Sequence, residues 1–131
     1  MRLRTTTLAL VCCALSSVAL ADIDKGVNAI RQRGCDSKAG GREALRRSRG
    51  LDEVAREWSK GGRLHEAIAR TEYRVADSSS MQIEGAKSER ALLQTAASNY
   101  CETVLNPEFT EIGVYERGDT TWIVVAAPLT L

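Results

Sequence analysis

The run Asn99-Tyr-Cys-Glu-Thr-Val-Leu-Asn-Pro-Glu-Phe-Thr-Glu-Ile-Gly-Val114 constrains this chain more than any other, because it joins a cysteine, a helix stop and the opening of a strand. Cys101 falls on the last turn of an apolar helix. Asn106 precedes Pro107, whose ring disfavours helical backbone at the residue before it. Ile112, Gly113 and Val114 then open a strand. The order of helix, cysteine, turn and strand sets where the other elements connect.

The beginning of the chain is set aside first. Arg2 and Arg4 form a positive n-region, Leu8 to Leu20 is apolar but too short to span a bilayer, and Ala19-Leu20-Ala21 is an A-x-A cleavage pattern. Residues 1–21 are expected to be a signal peptide and 22–131 a single domain, secreted or periplasmic after cleavage near Ala21. A lipid anchor on Cys12 or Cys13 fits less well, because Val11 and Cys12 are not the small residues wanted before such a cysteine. Losing Arg2 and Arg4 leaves 16 basic against 17 acidic residues, a formal charge of −1. That balance carries no footprint of nucleic acid or of an anionic membrane. The mature chain is expected to be a monomer with no nucleic-acid partner and no transmembrane helix.

Two cysteines, Cys35 and Cys101, remain in the mature chain, and two cysteines in an exported domain suggest one disulfide. Closing a loop of that length stabilises a fold by roughly 4 kcal/mol in the chain-entropy picture, comparable with the whole stability of a small domain. Unpaired thiols or a zinc site are the alternatives. Zinc wants about four ligands, and His65 is the single histidine.

Asp24 to Arg33 reads as a helix with Ile23, Val27 and Ile30 on one stripe and Gly34 as its stop. Asp36 to Arg49 is polar and contains Gly40 and Gly41, so most of it reads as loop; its basic run, Arg46, Arg47 and Arg49, reads as a solvated face. Leu51, Val54, Ala55 and Trp58 predict an amphipathic helix capped by Ser48 and stopped by Gly61-Gly62. Leu64 to Thr71 predicts a shorter helix. Tyr73 to Val75 looks extended, Asp77 to Ser80 is a polar link, and the alternation of Met81-Gln82-Ile83 permits an edge strand. Ser88 caps a further helix running through Ala91, Leu92, Thr95 and Ala96 to Cys101. Glu111 to Arg117 and Thr120 to Ala127 predict a hairpin turned at Gly118-Asp119 and ended by Pro128.

Asn28-Ala-Ile-Arg-Gln-Arg-Gly-Cys35, Leu45-Arg-Arg-Ser-Arg-Gly-Leu-Asp-Glu-Val-Ala-Arg56 and the Tyr100 to Val114 run together resemble a bacterial CAP domain, of the superfamily of cysteine-rich secretory, antigen 5 and pathogenesis-related proteins. The resemblance covers most of the mature chain, and the cysteine-to-Asn-Pro-x-Phe-x-x-Ile-Gly-Val run is its specific part. It implies an α+β fold, an α-β-α sandwich of about four helices around a small antiparallel sheet ending in a C-terminal hairpin. It also implies a disulfide between Cys35 and Cys101.

Many members of that family hold two histidines and two acids around a cleft that takes a divalent metal. The matching positions are replaced here. The Gly-Glu-Asn-Ile motif corresponds to Ser80-Met-Gln-Ile83, so Met81 stands in place of the acid. The loop of the first histidine is shortened to Ser59-Lys-Gly-Gly62, Gln94 stands for a tryptophan, and Thr121-Trp-Ile-Val124 replaces a His-Tyr-x-Gln strand. A divergent member without the metal tetrad, and with no cofactor, is implied.

His65, Glu66, Met81, Glu84 and Gln94 are the candidates for a cleft. His65 and Glu66 could stand at its mouth or be exposed on a polar helix face; Glu84 could offer a displaced carboxylate or be a plain loop acid. No serine sits in a nucleophile-elbow pattern. Tyr73, Tyr100, Tyr115, Trp58 and Trp122 suit core and cleft packing better than base stacking, which also needs a basic groove. The expected function is non-catalytic binding of a small apolar ligand or a protein partner. A hydrolase or protease-like enzyme and a structural cell-envelope component are the rival readings.

Overall fold

Residues Trp122 to Ala126 are all buried, and the two sides of that run serve two different cores. The structure, a computed structural model, describes residues 20–130, with side chains from 22 onward. Along the chain come α1 (Leu20–Arg33), a small hairpin of β1 (Gly34–Cys35) and β2 (Lys38–Ala39), β3 (Arg46–Arg47), α2 (Arg49–Ser59) and α3 (Leu64–Ala69). Then follow β4 (Val75–Glu84), α4 (Glu89–Asn99), α5 (Cys101–Leu105), β5 (Glu111–Arg117) and β6 (Thr120–Pro128). The main sheet has the order β3-β5-β6-β4.

Successive residues of a strand point to opposite faces, and the sheet is covered on both. Met81, Ile83, Ile112, Val114, Ile123 and Val125 share a core with Ile23, Val27 and Ile30 of α1, Leu92 and Ala96 of α4 and Val104 of α5. Trp122, Val124 and Ala126 face the other way, onto Leu51, Val54 and Ala55 of α2, with Leu64 and Ile68 of α3 packed against them. A central strand buried on both faces reads as a continuous apolar run instead of an alternating one, which is why Trp122 to Ala126 looks as it does. The predicted α-β-α sandwich is the observed architecture. The expected export signal, 1–21, lies outside the described residues except for the backbone of Leu20 and Ala21 in the first turn of α1.

Several local expectations need correction. The stretch from Tyr73 to Ile83 is not an extended piece, a link and a short strand: Val75 to Glu84 is one strand paired with β6 from Val75↔Pro128 to Glu84↔Thr120, with a register shift between Val75 and Asp77. Serine is a weak strand former, and pairing with a long neighbour overrides it. Met81 and Ile83 meet one core, while Gln82 and Glu84 stay exposed on the opposite face.

The presumed loop 36–49 contains β2 and β3, and β3 pairs parallel with β5, so the sheet is mixed and not purely antiparallel. The path of that stretch is fixed from outside it. The Asn28 side chain donates to the Leu45 carbonyl at 3.0 Å and accepts from the Leu45 N–H at 2.8 Å. The helix expected to end at Cys101 is two helices. It breaks at Tyr100 (φ −129°, ψ 26°), which closes α4 by donating to Ala96 and opens α5 by accepting from Val104. Cys101 therefore starts α5, and there it is bonded to Cys35, Cα to Cα 5.9 Å. Cys101 is buried, and Cys35 is half-buried against the core that includes Val104 and Phe109. Finally, α3 ends at Ala69, short of Thr71.

Candidate functional site

The five residues proposed from sequence do not converge. His65 and Glu66 are exposed on α3, whose inward side is Ala67 with Leu64 and Ile68. Glu66 turns back to accept from the Arg63 N–H at 3.4 Å, so its carboxylate closes the first turn of its own helix. Met81 is fully buried, opposite Ile123 in the core beneath α1 and α4. Glu84 is exposed near the end of β4 and accepts from the Gln82 amide at 2.9 Å. Gln94 is exposed on α4, beside Arg33 and Arg90. Because α3 and α4 cover opposite faces of the sheet, the sheet itself stands between His65 and Gln94. Among the described residues no three His, Cys, Asp or Glu side chains gather as a metal-ligand group.

On the α2 face the hairpin carries a tight set of contacts. Tyr115 and Trp122 have ring centroids 6.2 Å apart, and the Arg117 guanidinium lies 5.1 Å over the Trp122 ring. Arg117 also donates to the Ser59 carbonyl at 2.9 Å, so the end of α2 is held to the sheet through a side chain that covers the tryptophan. Further along that face the Tyr73 hydroxyl donates to Glu111 at 2.5 Å. Burial first, and the Glu111 carboxylate next, hold the Tyr73 phenol above its ordinary value.

A roomy concavity lies elsewhere, beside the Asn106-Pro107 turn. It is a groove of about 670 Å³ whose walls come from the segment between β2 and β3 (Arg42, Ala44), from Arg46 on β3, and from Pro107, Phe109 and Pro128. Its position follows from the sequence locally. Pro107 ends α5 and turns the chain into β5, Pro128 ends the pairing of β6, and the Asn28 to Leu45 bonds bring the polar segment alongside. Sequence reasoning passed over this place. The basic run from Arg46 to Arg49 looked like one solvated face, but the structure divides it. Arg46 is exposed toward the groove, whereas Arg47 bonds Asp52 at 2.7 Å and lies 3.9 Å from Asp24. One signal was available: Arg31 sits four residues after Val27, on the inward stripe of its helix, where a charged residue is unusual.

By sequence the chain matches no family model and no curated protein. By structure it resembles a cysteine-rich secretory protein from Staphylococcus aureus, at 13% identity and a TM-score of 0.69 over 82% of this chain. The fold is CAP-like. An extracellular SCP-domain protein of Bacillus anthracis matches equally well, at 16% identity and a TM-score of 0.69. This chain spans 38% and 39% of those two proteins, so it corresponds to about two fifths of each. An Ancylostoma-secreted protein aligns at 20% identity and a TM-score of 0.63, covering 89% of this chain and 72% of that one; it has also been solved with manganese bound. What these likenesses share with the chain is the CAP-like fold.

Proposed function

We propose that this chain is an exported binding domain, secreted or periplasmic once residues 1–21 are removed, which holds a segment of a protein partner in the groove beside Pro107. The groove carries the reading. Its size lies within the range of about 300–1,000 Å³ typical of ligand sites, and Pro107, Phe109 and Pro128 supply an apolar surface beside two arginines. A wholly apolar small molecule would leave the Nη groups of Arg42 facing it without a partner, whereas a peptide brings both apolar and polar groups.

Manganese belongs to the Ancylostoma protein. The donors at hand in this chain suit a hard cation poorly. His65 and Glu66 stand on the exposed side of α3, Met81 offers a buried thioether, Glu84 is engaged by Gln82, and Gln94 is on the other face of the sheet. Hard cations want several oxygen or nitrogen ligands converging on one point. The CAP-like scaffold is therefore read as working here without a metal.

The test uses the exported protein with a photo-crosslinking residue at Thr130, in the groove, or at Gln94, on α4. A discrete partner cross-linked from Thr130 and not from Gln94 supports the reading. In parallel, the protein is assayed against generic ester and peptide substrates with and without divalent metal. Turnover abolished by His65→Ala would replace binding with catalysis. N-terminal sequencing of the exported chain should begin at Asp22; a retained leader or a lipid on Cys13 would overturn the soluble, exported form.

A further inference from the structure

Arg31 is almost completely buried, 1% exposed, and its guanidinium reaches four backbone carbonyls. It donates to Glu43 at 2.8 Å, Val104 at 2.7 Å, Asn106 at 3.0 Å and Phe109 at 3.3 Å. These carbonyls take four of its five N–H groups, and among the described residues it forms no salt bridge, although the Glu43 carboxylate acts on its charge. Arg42 follows the same design one step nearer the surface. Its Nε donates to the Leu105 carbonyl at 2.9 Å, while among the described residues Nη1 and Nη2 have no partner. Arg46 completes the group from β3, with its side chain 77% exposed and 3.9 Å from Glu111.

Arg42 and Arg46 therefore line the groove, while Arg31 is buried and bonded to the carbonyls of two of its lining residues, Glu43 and Phe109. Burial lowers the proton affinity of Arg31, and the charge of Arg42 lowers it further, while Glu43 acts in the opposite sense. Two carboxylates, Glu43 on the groove lining and Glu111 beside Arg46, stand against the three cations. An anion placed at the free edge of Arg42 would meet a planar two-donor fork already aimed by its Nε bond, and such forks match a carboxylate through paired hydrogen bonds.

We infer that the groove takes the carboxylate of an extended peptide between Arg42 and Arg46, with the apolar part of that peptide lying on Pro107 and Pro128. The inference rests on the binding reading of the groove and names the chemistry the groove selects. Phosphate shares the oxyanion geometry, but it has no apolar part to lie on Pro107 and Pro128. The carboxylate is thus the better fit.

The experiment titrates isotope-labelled mature protein with N-acetyl-leucyl-leucine as the free acid, with its C-terminal amide, and with inorganic phosphate, following backbone amide signals. The free acid should shift the signals of Gly41, Ala44, Thr110 and Thr130 and bind about ten-fold more tightly than the amide, the effect of one charge-assisted pair. Arg46→Gln should weaken the acid several-fold without changing the melting temperature, because that side chain is exposed. Glu43→Gln should tighten it. Equal binding of acid and amide, shifts confined to other surfaces, or phosphate binding as tightly as the acid would each overturn the inference. Cross-linking from Thr130 tests the groove reading separately, so a partner captured there alongside equal binding of acid and amide would remove the carboxylate assignment alone.

Discussion

The backbone of Gly113 lies directly against the backbone of Leu51: a β-carbon at position 113 would stand 2.1 Å from the Leu51 carbonyl carbon. The contact seats the first turn of α2 on β5, and the Asp52 carboxylate reinforces it by accepting from the Val114 N–H at 2.8 Å. Nothing flexible lines the gap, since the neighbouring atoms are main chain.

Gly113→Ala should therefore behave as an overpacked core substitution against backbone, at or above the usual cost of about 1–3 kcal/mol. Denaturant unfolding of the two proteins measures this directly. A variant within a few tenths of a kcal/mol of the parent would mean that α2 does not approach β5 so closely.

The bond between Cys35 and Cys101 spans 66 positions and ties the hairpin after α1 to the first residue of α5. Cys101→Ala should lower stability by about 2–5 kcal/mol. Native protein comprising residues 22–131 should show no thiol that reacts with an alkylating agent. Free thiols, or an alanine variant as stable as the parent, would remove the cross-link from the account of the fold.

Tyr73 gives a pH signature. Its folded-state value is raised above the ordinary 10.0, so in alkali the unfolded chain loses this proton while the folded one keeps it. The protonated phenol thus contributes its full stability below that ordinary value, and the contribution is lost as pH climbs beyond it toward the folded value. Unfolding midpoints should fall above about pH 10, and they should fall less in Tyr73→Phe. At neutral pH that variant should be weaker by about 1.5–3 kcal/mol, the range for a hydrogen bond to a charged group. Parallel pH curves for the two proteins would show that the Tyr73 to Glu111 pair does not titrate in this way.

Calorimetric titration with zinc should find no site tighter than about 10 µM, equivalent to roughly 7 kcal/mol. The expectation follows from the scattering of His65, Glu66, Glu84 and Gln94 over separate surfaces. A stoichiometric and tighter site that disappears in His65→Ala would show that side chains reorganise around a metal.

The main helices and the C-terminal hairpin were legible in the sequence because each carries its own periodicity, whereas the sandwich was implied by the resemblance of the Tyr100 to Val114 run and its companion motifs to CAP domains. Ile23, Val27 and Ile30 mark α1, Leu51, Val54 and Ala55 mark α2, and the β-branched run from Thr120 marks β6. Such patterns depend on which residues share a face, and that is settled within a few residues of chain. The Cys35 to Cys101 pairing was legible for a simpler reason: beyond the expected leader, residues 1–21, the sequence holds only those two of its four cysteines.

What the tertiary structure alone decided has no local carrier. The three serines from Ser78 to Ser80 are strand because β6 lies beside them, and the segment ahead of β3 is ordered by the Asn28 amide, 17 positions away from Leu45. The groove is decided in the same way. Arg42 and Arg46 reach it from a connecting segment and a strand, while Pro107 and Pro128 come from the far end of the chain. Sequence fixes the charge and shape of each of these side chains. Only the closing of the two helical layers onto the sheet gathers them around one groove, because hydrogen bonds and electrostatic fields depend on distance in space and not on separation along the chain.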